Sequence, residues 1–319
     1  MELIRLEAAL KDYIWGGNKL KQFYNKQTDM EIVSESWELS THKDGSSIIK
    51  SGTNKGMLFK EYIEKNGVEV VGTNSKDFPF FPILIKFIDA RDNLSIQVHP
   101  SDEYALKNEN SFGKTEVWYV LDAEPGAYLY YGFKDEITKE EMAERIKNNT
   151  FLEVLRKVEV KPGDVAFIES GTIHAIGAGL MICEIQQNSN LTYRVYDFGR
   201  VGKDGNPREL HIEKALQVTN LKPIPHEVKN TSTTKYDGYE LGNMATCQYF
   251  TTDVLDLKGE FTDVVDSKTF KSYTVVEGEG TISSKNESFN YNKGDTFFAP
   301  ANLGKIKIKG NAKIIISYV

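Results

Sequence analysis

The stretch Leu94-Ser95-Ile96-Gln97-Val98-His99-Pro100 restricts most strongly what this chain can fold into. At a period of two, Leu94, Ile96 and Val98 point one way, and Ser95, Gln97 and His99 point the other. The result is a strand with one apolar face and one face of polar donor groups. Pro100 has no N–H for a ladder and biases His99 toward extended backbone, so the strand ends there. A solvent-facing strand carries Lys, Glu or Thr on its polar side. Gln-x-His reads instead as a ligand pair, and the strand as the wall of a pocket in which Gln97 and His99 reach toward a metal. The plainer alternative is an amphipathic strand with an incidental histidine.

Neighbouring stretches add to that wall. Phe80 to Ala90 is an apolar run interrupted by Lys86, a residue costly to bury away from a polar cavity. Lys86 is either a strand-edge residue or a pocket residue, and its place just before the Gln97–His99 strand favours the pocket. Glu116 begins the apolar, aromatic strand Val117 to Leu121, with Lys114 on its face. A carboxylate buried there needs a partner, and a metal ion is one. Gly163 opens a turn followed by the strand Val165 to Ile168; the turn Glu169 to Thr172 then leads to His174. Leu180 to Gln187 sets Ile182, Glu184 and Gln186 on one face, and Thr192, Arg194 and Tyr196 share another.

Helical spacing and caps place helices at 57–64, just after Pro100, from Thr138 through Ile146, over roughly 151–158, and over 209–218. Glu35 to Ser40 reads as a strand without chemistry, and Trp15 and Trp37 read as structural.

The chain of 319 residues is long enough for two domains. A net charge of −7 argues against nucleic acid or an acidic membrane as a partner, so any anionic substrate must meet local positive charge. Cys183 and Cys247 are too few for a disulfide framework, which fits a reducing cytoplasm. No secretory leader and no transmembrane helix is expected.

Lys222 to Tyr236 reads as a linker, and Phe270 to Ile282 as a strand. Gly294-Asp295 then repeats Gly163-Asp164, and Val275-Val276-Glu277-Gly278 echoes Val120-Leu121 with its turn. No histidine follows His226, so this second copy reads as a barrel without a metal site. His211 reads as a surface or core histidine, and Lys305 to Lys313 as a solvated face. The expected division is a metal-binding unit over 1–230 and a degenerate barrel over 231–319.

Gly163-x5-Glu169-Ser170-Gly171-x2-His174 resembles the second motif of the cupin superfamily, with Glu169 where proline is usual. Gln97-x-His99 and the later Glu116 resemble the first, with Gln for its first His and a longer gap. Together with Lys114-x-Glu116 and the Arg194 strand, the set resembles the type I mannose-6-phosphate isomerases, over about residues 13–216. The resemblance implies a mainly β protein of two cupin-like jelly-roll barrels with a few short helices. It implies one zinc ion per chain held by Gln97, His99, Glu116 and His174. It implies Arg194 as catalytic arginine, Lys114 and Glu184 as proton-transfer or positioning groups, and Lys86, Ser95 and Arg200 near the sugar phosphate. Where that family often has Asp four residues before the arginine, this chain has Asn190, which cannot act as a base.

The residue types fit independently. Two imidazoles, a carboxylate and an amide oxygen suit zinc, with manganese, iron or cobalt as alternatives. Moving a proton between C1 and C2 of a hexose 6-phosphate needs a base and a positive group beside the developing oxyanion. The expected function is interconversion of mannose 6-phosphate and fructose 6-phosphate through an enediol, with no nucleic-acid, membrane or obligate protein partner. The competing readings are a sugar-phosphate sensor without turnover and an iron cupin oxygenase.

Overall fold

The computed structural model describes residues 1–202 and 205–319. It is mainly β, with three sheets. A seven-stranded sheet runs in the order Lys229–Asn230, Asp164–Ile168, Glu116–Ala123, Leu180–Gln187, Ile83–Ala90, Glu35–Leu39, Ala9–Lys11. A five-stranded sheet runs Tyr193–Tyr196, Ile96–Val98, His174–Ile176, Tyr128–Phe133, Leu155–Glu159. The recorded pairings are antiparallel, and side chains alternate across each strand except at bulges such as those at Met181/Ile182 and Arg194/Tyr196.

That alternation builds the pocket. On the seven-stranded sheet, Ile83, Ile85, Phe87, Val117, Tyr119, Cys183 and Ile185 share one core with Phe250, Phe270, Phe298 and Ile315 from the C-terminal third. The opposite face gives Ile88, Trp118, Val120 and Ile182 to a second core, closed by Leu129, Tyr131 and Ile176 of the five-stranded sheet. Ile96, Val98, Ala175, Tyr193 and Val195 face outward beneath Met142 and Ala215 of the helices Lys139–Lys147 and Ile212–Val218. Gln97, His174 and Arg194 alternate with these and so face inward, opposite Lys86, Glu116 and Glu184. Both faces of the seven-stranded sheet are covered, which is why its strands read as near-continuous apolar runs.

The third sheet has nine strands; one face joins the core shared with the seven-stranded sheet, and the other forms a further core. It includes Ile4–Glu7 and Ile48–Ile49 from the chain's beginning, the first pairing with Thr296–Ala299. Sheet membership therefore crosses the division at residue 230. The internal repeat has a physical basis in a shared turn. Gly163 and Gly294 take φ of 91° and 94°, a region open to glycine. Each donates its N–H to the earlier strand, at Val120 and Val275. Asp164 and Asp295 each accept the N–H three residues back, at 2.9 Å and 2.8 Å.

Several boundaries differ from the sequence reading. The strand after Phe80 begins at Ile83, past Pro82, which cannot donate to a ladder. The helix expected over 151–158 is a 3-10 turn, Phe151–Val154, followed by the strand Leu155–Glu159. Pairing with Tyr128–Phe133 overrides its local helical spacing. The helix expected from 209 begins at Ile212. The linker contains the strands Lys229–Asn230 and Thr234–Tyr236, each paired to a neighbour. No helix among the described residues is long and apolar enough to cross a membrane.

Candidate metal centre and active site

His99, Glu116 and His174 converge in the fully buried space between the two N-terminal sheets, their ligand atoms all within 4.8 Å of one another. Nδ1 of His99 lies 2.8 Å from the Leu191 carbonyl, and Nδ1 of His174 lies 2.9 Å from the Thr172 carbonyl. A carbonyl can only accept, so each Nδ1 carries the proton and each Nε2 keeps its lone pair. Those Nε2 atoms stand 3.7 Å and 3.2 Å from Oε1 of Glu116. This is how metal-binding histidines are oriented by a second layer. Burial holds both imidazoles neutral: His99 falls well below the usual histidine range, and His174 falls to about 3.

Glu116 lacks what it needs. Its two oxygens are buried; Oε2 has the Lys114 ammonium at 2.7 Å, but Oε1 faces the two imidazole Nε2 atoms without a donor among the described residues. Burial, then the charge of Glu184, push its carboxyl up to about 8. A divalent cation among these three ligands would remove both penalties, so the donor set fits a metal. Gln97 lies beside His174, with Nε2 at 3.4 Å from the His174 Nε2 and Oε1 accepting from Ser95 Oγ at 3.3 Å.

Around the cluster runs a buried charge network. Lys114 Nζ is 2.7 Å from Glu116 Oε2, 3.5 Å from Glu184 Oε1 and 3.3 Å from His99 Nε2. Lys86 Nζ lies between Glu184 at 3.4 Å and Glu35 at 3.8 Å, over the Trp37 ring at 4.9 Å. Glu184 also accepts from Trp118 Nε1 at 2.8 Å. Burial alone would raise the Glu184 carboxyl, but Lys114, Lys86 and Trp118 outweigh it and hold it at about 2. When Glu116 is ionised, two lysines face three carboxylates, one negative charge in excess, which is part of what pushes its carboxyl up. A divalent ion would turn that into one positive charge, suited to an anionic substrate.

Arg194 is directly opposite Gln97 in register. Its Nη1 donates to the Glu209 carbonyl at 2.7 Å, and its Nε is buried without a hydrogen-bond partner among the described residues. Arg200 sits in a second cluster. Its guanidinium donates to the Asn93 carbonyl and to Asp197, which Arg208 also grips with two nitrogens. Asn190 donates Nδ2 to Asp44 Oδ2 at 3.1 Å and acts as a tie to the 41–46 loop. His211 is no ligand: its Nδ1 accepts the Arg194 backbone N–H at 3.2 Å and steadies that strand.

Asp197 supplies a pH prediction. Burial would raise its carboxyl, but the hydrogen bonds from Arg208 and Arg200 hold it below the usual range. Its stabilisation is therefore complete above about pH 4, the ordinary value, and is lost as pH falls through the lowered one. Asp197→Asn is expected to destabilise the fold by about 2 kcal/mol at pH 7. The gap from the parent in thermal unfolding should close in strong acid.

Sequence reasoning missed Glu35, Asp197 and Arg208. Trp37 reads as structural, and it is fully buried, donating to Glu35 at 2.6 Å beneath Lys86. The available signal was an acid inside a buried strand, the same signal that identified Glu116.

Fold and cluster together define a cupin with a candidate metal centre. Two family models match the chain: "Phosphomannose isomerase type I, catalytic domain" over residues 3–148 and "Mannose-6-phosphate isomerase, cupin domain" over 241–319. The chain is 36% identical over 321 residues to the mannose-6-phosphate isomerase ManA of Bacillus subtilis, covering 100% of this chain and 99% of that protein. It is 36% identical over 318 residues to the mannose-6-phosphate isomerase of Streptococcus mutans, covering 99% and 98%. The crystal structure of the mannose 6-phosphate isomerase from Bacillus subtilis superposes with a TM-score of 0.91 at 33% identity, over 100% of both chains. A phosphomannose isomerase from Salmonella typhimurium, at 18% identity and a TM-score of 0.78, shares the fold. The chain belongs to the type I phosphomannose isomerases.

Proposed function

We propose that this protein is a zinc-dependent isomerase that interconverts mannose 6-phosphate and fructose 6-phosphate through an enediol. One observation carries the reading: two tautomer-fixed imidazoles aim Nε2 at a buried carboxylate oxygen that has no donor, beside a lysine–glutamate network, in a chain of this family. His99, Glu116 and His174 hold the ion, with Gln97 as fourth ligand through its amide oxygen. The amide's O and N can exchange places without repacking, so Ser95 Oγ then accepts from Nε2. Zinc held there would supply fixed positive charge to the pocket.

The chain's own residues do the rest. Glu184, an ionised carboxylate of the pocket, takes the proton from C2 and returns it to C1, and it keeps Lys114 and Lys86 in place; Lys114, between Glu116 and Glu184, moves the proton between the sugar oxygens. Lys86 meets the substrate from the pocket floor. Arg194 keeps its charge at any working pH and turns its unpaired Nε–H to the enediolate oxygen.

The phosphate lies toward Arg200, with Arg208 beside it and Ser95 on the way. Asn93, which anchors Arg200, is four residues before Gln97, about 13 Å along an extended chain, which suits a hexose phosphate lying along the strand. In this reading the unit over 1–230 carries the site in the cytoplasm, and the barrel over 231–319 packs against it. A coupled assay of fructose 6-phosphate formation from mannose 6-phosphate tests the reading; a folded, zinc-replete sample without turnover would exclude it.

A further inference from the structure

We propose that Gln186 is a positioning residue for the metal centre, fixing the 187–191 turn so that the Leu191 carbonyl aims His99. The inference rests on the metal reading above.

Gln186 lies near the end of the Leu180–Gln187 strand, fully buried and opposite Glu116 in register. It shares the inward face with Glu184. Its Nε2 donates to two backbone carbonyls where the chain reverses, Gln187 at 2.7 Å and Ser189 at 2.5 Å. Ser189 Oγ gives its proton to the Phe112 carbonyl at 2.9 Å and accepts the Leu191 N–H at 3.3 Å. The Leu191 carbonyl then accepts from His99 Nδ1 at 2.8 Å. One side-chain amide therefore ties a strand of the site to the turn that sets the His99 tautomer. That tautomer decides whether Nε2 has a lone pair for a metal.

Gln186 is a poor choice for packing alone. Its Oε1 is buried and has no partner among the described residues. An unpaired buried acceptor is unfavourable, and methionine, of similar length, would avoid it. The two N–H donors are what the glutamine contributes.

The test uses the full chain as parent, Gln186→Met and Gln186→Glu. Each is stripped of metal, titrated with zinc against a chromophoric chelator, and melted without metal. The parent is expected to bind zinc, and both variants to bind it about 10- to 100-fold more weakly, the usual effect of losing an outer-layer partner. Gln186→Glu keeps the shape but loses both donors, so it should be no better than Gln186→Met. A folded Gln186→Met with parental zinc affinity overturns the inference. A parent that binds no zinc overturns the metal reading, and the inference with it. If neither variant folds, Ser189→Ala decides: weaker zinc binding supports the turn's role, and unchanged affinity overturns it.

Discussion

Glu116→Gln is expected to abolish metal retention and to lower kcat by about 10³ or more, while the metal-free protein still folds. The substitution keeps the shape and removes one buried charge. Without metal, that charge is the excess one: Lys86 and Lys114 then face Glu35 and Glu184 alone, two cations against two anions. Lys114 keeps Glu184 at 3.5 Å as a partner. Removing one member of a buried pair is usually harmful because it strands the other. Here the partner is not stranded, and the carboxyl removed is one that burial pushes up to about 8. The metal-free variant should therefore melt no lower than the metal-free parent. Metal content by elemental analysis, turnover and melting temperature separate the outcomes. A variant that retains zinc, or that loses activity only because it fails to fold, would contradict the assignment of Glu116.

Arg194→Met should have the complementary signature. Among the described residues Arg194 makes no recorded hydrogen bond or ion pair with His99, Glu116 or His174, although it pairs in register with Gln97. Its strand is held by backbone pairing and by His211, and both survive the change. What disappears is a guanidinium with one nitrogen spent on the Glu209 carbonyl and a buried Nε–H unspent. Loss of one such donor to a developing oxyanion typically lowers kcat by about 10²–10³. Zinc content and melting temperature should stay at parental values. An unchanged kcat would remove Arg194 from the reaction, and a parallel loss of zinc would make it part of the metal centre instead.

The convergence of His99 with Glu116 and His174 was legible in part because alternation is a local rule. Gln97 and His99 oppose Ile96 and Val98 by spacing alone, and the structure keeps that division; Leu94 departs from it, because the strand begins only at Ile96 and Leu94 packs in the inner core beside Ile88 and Trp118. The Gly-Asp repeat was legible for a similar reason: its turn satisfies its own hydrogen bonds within a few residues. Glu35 was hidden because its partner is distant in sequence, and Asp197 because its partners, Arg200 and Arg208, reach it only once the loop after the Tyr193–Tyr196 strand folds back. Lys86 reaches Glu35 only through pairing of the strands Glu35–Leu39 and Ile83–Ala90. The segment over 155–159 has helical spacing but becomes a strand, because an open sheet edge beside it needs pairing. Gln186 could be placed on a face but not given a role, since the turn it holds exists only once the chain reverses.

The most direct test of the central claim is the coupled assay run before and after chelation, with zinc returned. Turnover of mannose 6-phosphate that disappears with the chelator and comes back with zinc is the predicted result. Turnover that persists in protein shown to be metal-free would contradict it, leaving the lysine–glutamate network to carry the reaction alone.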